Sequence, residues 1–476
     1  MSERVIRWVR TSPVAVPVLV FLLSLPAVTV RLYASDEIEY FAYLRSVWFD
    51  RDLSFDNEYH YFYDRGVGRG ARFEQAFLET STATGLRVNL APVGTAIMWA
   101  PFYAVADVGV RAARLLGSRV PVDGFSRPYI AAVTYGSAVY GFLAVLLSMA
   151  AVRRIVGGGT GPVAAVWIGT PLVFYMYIAP GFSHACSACA VAAFVVAWLH
   201  VRERWSLGGV VALGALAALM GMVREQDVFI AIGPAVDYLV STIRVVRDRG
   251  GAVASRAVWA LAGVGTAAVC ALPQAAAYEV LYGHLGPSPI VAHKMTWTAP
   301  YAWQVLASPQ NGLFFWTPLA LPALLGLVWL ALGWVRAPER RGAPPDAWIG
   351  ALCLLMVLTQ IYVCGSFATW MGAGSFGQRR LVGLTVFWAV GLAALVRALA
   401  AGWRQWALAA VVTVCVWWNL GLIVQFGTGL MDRQAMDPPV NAYHNFVSIP
   451  RMLPTLAYRY VFDRGSFYQT RMLPTP

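Results

Sequence analysis

Charge is scarce in this chain. Only 13% of its 476 residues are Asp, Glu, Lys or Arg, 59% are hydrophobic, and mean hydropathy is +0.60, which excludes an ordinary soluble globule. Lysine is almost missing: Lys294 stands alone beside 35 arginines, a usage that, with abundant Ala and Gly, fits a GC-rich bacterial genome. The six cysteines, Cys186, Cys189, Cys270, Cys353, Cys364 and Cys415, sit in or at the ends of apolar runs. They lack the loop spacing of a disulfide framework or zinc site. Alternating ten-residue barrel strands are absent, and the segment after the last apolar run, 427–476, is too short and too rich in Pro and aromatics for an independent soluble domain.

What is present is a series of apolar runs long enough to span a bilayer as helices, whose backbone polar groups are satisfied internally. The expected fold class is an all-α polytopic membrane protein with about 11 transmembrane helices. The runs are 13–33, 128–152, 162–180, 183–201, 207–223, 228–244, 257–281, 313–335, 347–366, 380–400 and 405–426. Arg4, Arg7 and Arg10 precede the first run, which reads as an uncleaved anchor with a cytoplasmic N-terminus. On that map each inner loop is basic: Arg153 and Arg154; Arg202 and Arg204; Arg244, Arg247, Arg249 and Arg256; Arg336, Arg340 and Arg341; Arg397 and Arg404. The net charge of +12 is thereby explained without nucleic acid. Counting the apolar stretch 90–110 as a span would invert every later loop. It is therefore read as an interfacial or re-entrant helix on the outer face, with Trp99, Phe102 and Tyr103 at headgroup depth. The chain divides into a membrane module, 1–426, whose first external loop is 34–127, and a short extracytoplasmic tail, 427–476. The expected location is the inner (plasma) membrane of a bacterial cell envelope.

Ten of the 24 acidic residues lie between positions 36 and 79, so ionisable chemistry is concentrated just outside the first span. Asp36 and Glu37 follow that span directly. Tyr40, Tyr43 and Trp48 come next, at spacings that could press an amphipathic helix onto the membrane. Arg379 and Arg380 are a basic pair on the external side, against the positive-inside trend, preceded by Gly372, Gly374 and Gly377, which permit close backbone approach. Lys294 shares an external loop with His293, Trp297 and Tyr301. Arg224 sits at an outer helix end in Val223-Arg224-Glu225-Gln226-Asp227, where Glu225 and Asp227 could neutralise or orient it, and His184 occupies another outer helix end. Asp237 falls near the middle of its span, where a carboxylate is costly.

These residues resemble, at four places, the C-type polyprenyl-phosphate-dependent glycosyltransferases, closest to family 39, the protein mannosyltransferase-like members. The places are Asp36-Glu37, the segment opened by Asn89-Leu90-Ala91-Pro92, the stretch from Ser308 to Pro318, and the stretch from Trp370 to Arg380. The family's Pro-Pro is here Ala91-Pro92. The resemblance implies a sugar moved from a polyprenyl-phosphate donor, within the membrane lipids, to an acceptor glycan, lipid or protein. It implies that Asp36 is the catalytic acid residue of the first loop, with Glu37 beside it. Physically, such transfer needs a carboxylate base near the nucleophile and guanidinium donors for a phosphate leaving group. Arg379, Arg380 and Lys294 are the candidate phosphate ligands, and Tyr40, Asn89, His184, Arg224 and Gln378 complete the candidate substrate-binding set. A divalent cation, Mg or Mn, could bind acidic oxygens, yet a monophosphate leaving group does not demand one, and the sequence requires no cofactor. The alternative class is a lipid-linked glycan flippase or other polytopic transporter, which would place polar groups along a midplane path.

Overall fold

The computed structural model describes residues 12–67, 73–249, 253–336, 345–372 and 374–469; Arg4, Arg7, Arg10, Arg340 and Arg341 lie outside them. Among the described residues there are helices and two isolated β-bridges but no strand. Among the described residues, seven helices are long and apolar enough to cross a membrane: Arg127–Val156, His184–Val201, Glu225–Arg247, Val253–Cys270, Ala347–Gly365, Arg379–Ala398 and Trp403–Thr428. Four shorter apolar helices accompany them, Ala15–Ala27, Thr160–Gly169, Leu207–Val223 and Ala320–Gly333. The chain is an all-α, multi-pass membrane protein.

Three of the apolar runs are broken by proline, one of them 313–335, which divides at Thr317 and Pro318 into Leu313–Trp316 and Ala320–Arg336. The run 162–180 divides at Thr170 and Pro171 into Thr160–Gly169 and Leu172–Tyr177, and 257–281 divides before Pro273 into Val253–Cys270 and Leu272–Tyr282. Proline lacks the N–H that would continue the ladder and favours the first turn of a new helix.

The centre of the bundle is built on small residues. Arg379–Ala398 has 78% of its apolar window buried, whereas Val253–Cys270 has 6%, so the former is core and the latter periphery. Gly391 lies against the helix Ala320–Arg336 so closely that a Cβ there would stand 2.0 Å from the Ala323 carbonyl oxygen, and one on Gly326 would stand 1.8 Å from that of Gly391. Backbone meets backbone, the contact that glycine allows between membrane helices. Gly391→Ala is expected to destabilise the protein by about 3 kcal/mol, the upper end of overpacking costs. Thermal unfolding in detergent checks this, and a wild-type midpoint would contradict the contact. Five of the six cysteines are buried and all are free.

The segment expected as the first external loop is folded into the protein rather than laid on its surface. In the helix Ser35–Arg45 every residue from Glu37 to Leu44 is buried. Tyr40 and Tyr43 are 7% and 2% exposed, which corrects the expectation that they face the membrane. Trp99 and Tyr103, expected at headgroup depth, are likewise fully buried. Trp99 donates its indole N–H to Ser137 Oγ at 2.8 Å, and Tyr103 its hydroxyl to the Gly124 carbonyl at 2.8 Å. These donors have partners inside the protein, which is where an aromatic with a polar tip is stable away from water. The helix that carries them, Gly94–Leu115, is not among the seven long spans. Its Asp107 carboxylate accepts from Tyr129 Oη at 2.8 Å, Arg111 Nε at 2.9 Å and Trp48 Nε1 at 3.3 Å. That carboxylate ties the segment to the helix Arg127–Val156.

Most of the acidic cluster is consumed by such internal pairing. Arg45 bridges Asp50 and Glu58, Asp56 pairs with Arg87 at 2.7 Å, and Asp52 accepts from Ser46 Oγ at 2.7 Å. The tail is docked by amides: Asn441 donates to Gln425 Oε1 at 2.7 Å, and Asn445 donates to the Trp418 carbonyl at 3.1 Å. Asp237 is satisfied too, accepting from Trp348 Nε1 at 2.8 Å, Arg202 Nε at 2.8 Å and Trp198 Nε1 at 3.0 Å. It is a buried ion pair at the Arg202 end of the bundle, not a lone mid-span carboxylate.

Candidate active site

Helical spacing puts Asp36, Glu39 and Tyr40 on one face, at i, i+3 and i+4. Glu37, one residue on, points elsewhere: its Oε2 accepts from the Tyr33 and Ala34 N–H groups at 2.8 and 3.0 Å. It reaches back to satisfy orphan donors at the helix start, as a capping-box glutamate does. Glu37 therefore holds the helix that carries Asp36 and does not line the cavity described next.

The cavity has a volume of about 260 Å³ and is walled by residues from five distant parts of the chain. Asp36, Glu39 and Tyr40 form one side, and Leu90, Ala91 and Pro92 close another. Arg224 and Glu225 come from a helix end, Lys294 from a loop, and Arg379 and Arg380 from the start of the central helix. Asp36 Oδ2 accepts from Arg379 Nη1 at 2.6 Å across 343 positions of sequence.

Several supporting contacts fix these groups. The turn before Arg379 needs glycine: Gly372 and Gly377 have φ of +61° and +64°, which other L residues avoid. Asn311 donates to the carbonyls of Ser375 and Gly377 at 3.1 and 3.2 Å, and Gln378 donates back to the carbonyls of Asn311 and Trp370 at 3.2 and 3.3 Å. Gln378 is thus a buckle of the turn, behind the cavity wall. Asn89 does similar work on the opposite side, donating to the Glu39 carbonyl at 3.0 Å and accepting from the Ala91 N–H at 3.0 Å. Lys294 is held by its backbone, whose carbonyl accepts from the Ala368 N–H at 2.7 Å beside the Met295–Phe367 bridge.

Arg224 is not oriented by its acidic neighbours. Its Nη1 donates to Ser183 Oγ at 3.2 Å and His184 Nδ1 at 3.0 Å, while Asp227 accepts from Ser187 Oγ and Glu225 from the Tyr278 hydroxyl. A guanidinium only donates, so His184 Nδ1 is the acceptor. Ser183 passes the chain on, donating to Tyr40 Oη at 2.9 Å. Of the expected substrate-binding set, Tyr40 and Arg224 line the cavity, and Asn89, His184 and Gln378 support its walls.

Electrostatics separate the two carboxyls on the helix face. Burial alone would raise Asp36, but the charge and hydrogen bond of Arg379, helped by Arg224 and Arg380, more than offset it and hold the carboxyl below its ordinary range. Glu39 goes the other way. Burial, and then the Asp36 charge, push it up to about 8, although its Oε1 accepts from the Leu90 N–H at 2.6 Å. Glu37 is raised to about 7 by burial, opposed by its two backbone donors. Glu39 was not singled out from the sequence, where it read as one more member of an acidic cluster; the i, i+3 relation to Asp36 was the available signal.

Four cationic side chains face three carboxylates here, one of which is paired with Arg379 and another protonated near neutrality. Arg224 Nε and Arg380 Nε are buried without an acceptor in the protein. Such a surround suits an anion. It does not fit Mg or Mn, whose charge would sit among guanidiniums, and among the described residues no group of three His, Cys, Asp or Glu is spaced to hold a metal ion. Compared with family models, curated proteins and solved structures, the chain matches none, so its functional reading rests on the chemistry of this cavity.

Proposed function

We propose that the chain is a C-type membrane glycosyltransferase that moves a sugar from a polyprenyl-phosphate donor to an acceptor on the extracytoplasmic face. The observation that carries the reading is the single cavity in which an ionised Asp36 stands among Arg224, Lys294, Arg379 and Arg380. The phosphate of the donor is held by Arg380, Arg379 and Lys294, whose donors match its oxygens. Asp36 takes the proton of the acceptor nucleophile, the nucleophile attacks the anomeric carbon, and the bond from that carbon to the phosphate oxygen breaks. The polyprenyl phosphate leaves with the bonding electrons, and a single displacement inverts the anomeric centre. Glu39, protonated, donates a hydrogen bond into the same site while Asp36 stays ionised as the base, since the environments of the two carboxyls drive their pKa values apart.

The topology that goes with this reading has eleven crossings, the seven long helices and the four shorter ones, with the N-terminus inside and the tail outside. Two helices support that orientation. His184–Val201 runs from His184, at the cavity wall, to Arg202, and Arg379–Ala398 runs from the cavity to Arg397, which donates to the Val156 carbonyl at 3.0 Å. Both therefore lead from the cavity to the arginine-rich end, the end expected in the cytoplasm. The complete ion pairing of Asp237 removes the feature that would have favoured a transport path.

The test is release of free polyprenyl phosphate from polyprenyl-phosphate sugars by the purified protein in nanodiscs, with cell-envelope glycans, lipids and proteins supplied as acceptors. Protein-dependent release supports the reading, and no release from any of the common hexose and pentose donors contradicts it. The pH profile makes a second prediction. Asp36 is ionised above its lowered pKa, and Glu39 keeps its proton until pH rises through about 8, so the rate falls on the alkaline side. Glu39→Gln retains a neutral donor, and in that variant the alkaline fall is expected to vanish while the rate at pH 7 stays close to wild type. An unchanged alkaline limb would remove Glu39 from the mechanism.

A further inference from the structure

A second cavity, about 340 Å³ and within the range of small-ligand sites, lies against the first. The two share a wall. Phe182 lines the second cavity, and the Arg379 guanidinium, which lines the first, lies 5.6 Å from the centre of the Phe182 ring. Tyr33 and Ala34, the residues just before the helix that carries Asp36, line the second cavity as well.

Its chemistry differs from that of the first. Aromatic side chains dominate, and they are fixed: Phe376 stacks on Phe174 with ring centres 4.5 Å apart and planes 15° from parallel, and Tyr175 donates its hydroxyl to the Phe376 carbonyl at 3.0 Å. Two guanidiniums, Arg31 and Arg433, are part of the lining, and among the described residues that line it there is no carboxylate. Arg433 is anchored by its Nη2 to the Phe426 carbonyl at 3.0 Å and lies over the Phe426 ring. Ser375 also lines this cavity, is 8% exposed, and has a buried Oγ with no hydrogen-bond partner. A buried hydroxyl left unpaired is costly unless a ligand completes it.

We infer that this second cavity is the acceptor subsite and that the acceptor is an anionic carbohydrate, a sugar bearing a carboxylate or phosphate. The aromatic edges that reach the cavity give the C–H groups of a pyranose ring a rigid apolar wall. Arg433 and Arg31 supply fork-shaped donors for the anionic group, and Ser375 Oγ supplies a hydrogen bond to a ring hydroxyl. The inference rests on the glycosyltransferase reading for the word acceptor, and on the cavity alone for the ligand class. Sharing the Phe182–Arg379 wall with the phosphate cavity sets the bound glycan one side-chain layer from the reacting sugar.

The experiment measures binding by saturation-transfer NMR to the full chain in nanodiscs. The probes are a glucuronate-containing disaccharide, its neutral glucose counterpart, and farnesyl phosphate for the donor cavity. Wild type is expected to bind the glucuronate probe more tightly than the neutral one. Arg433→Gln is expected to weaken glucuronate binding about tenfold or more, as loss of a charge-assisted hydrogen bond does, and to leave farnesyl phosphate binding intact. Ser375→Ala weakens the glucuronate probe in the same direction with little structural disturbance. Equal binding of the neutral and charged disaccharides overturns the proposal, as does unaltered glucuronate binding in both variants at wild-type melting temperatures. Glucuronate binding that survives in a protein that takes no farnesyl phosphate overturns the donor reading and upholds this one.

Discussion

Replacing Asp36 by Asn is expected to slow sugar transfer by about 10²–10⁴-fold, the contribution of a positioned general base, with little change in melting temperature. The asparagine can still accept from Arg379 Nη1, which now bonds the carboxylate at 2.6 Å, and the helix start remains capped by Glu37. What disappears is the proton acceptor. The neighbours of Asp36 also set the acid limb of the profile. Arg379, Arg224 and Arg380 hold its pKa below the ordinary carboxylate value against the effect of burial, so ionised base is present at all pH values above that lowered pKa and is lost only as pH falls through it. Together with the protonated Glu39, this gives a broad plateau ending near pH 8. Initial rates with a polyprenyl-phosphate sugar measure both effects, and full turnover by Asp36→Asn would eliminate the base.

Arg380→Ala is expected to raise the KM for the donor by about 10- to 100-fold, the equivalent of one or two charge-assisted hydrogen bonds, and to leave the acceptor KM unmoved. Arg380 is a cleaner probe than Arg379. Removing Arg379 would both delete a phosphate ligand and release Asp36 from the charge that keeps it ionised, mixing two effects in one rate. Arg380 contacts Thr369 at 3.4 Å and lies over the Phe367 ring at 4.2 Å, and its Nε has no acceptor. Arg380→Lys restores charge without the planar fork, so it should recover part of the loss. An effect on the acceptor KM alone would remove Arg380 from the phosphate site.

Much of the helical layout was legible because an apolar run of about 20 residues has few alternatives in a membrane. The breaks at Pro171, Pro273 and Pro318 were not read from the runs, since proline tolerates either a kink or a new first turn and only packing decides between them. Which side of an amphipathic stretch faces lipid was equally undecided: Trp99, Tyr40 and Tyr43 have the composition of interfacial anchors, yet each is buried. In the candidate site, Asp36, Tyr40, Arg224, Lys294, Arg379 and Arg380 could be singled out as polar groups at odds with their surroundings, and the fold brings all six to one cavity. Their pairing was invisible, because nothing local links position 36 to 379. Asn89, His184 and Gln378 were noticed for the same polarity but support the walls. Glu39 was passed over although it shares a helix face with Asp36, and the second cavity, whose aromatics come from distant turns and helices, leaves no local signature.

The most direct test is native mass spectrometry of the protein saturated with polyprenyl phosphate and then stripped of bulk lipid. Wild type is expected to retain one polyprenyl phosphate, and Arg380→Ala to lose it under the same conditions. Equal retention by the two proteins, or no retention by wild type, would contradict the assignment of the Asp36–Arg379–Arg380 cavity as the site where the lipid-borne phosphate is held.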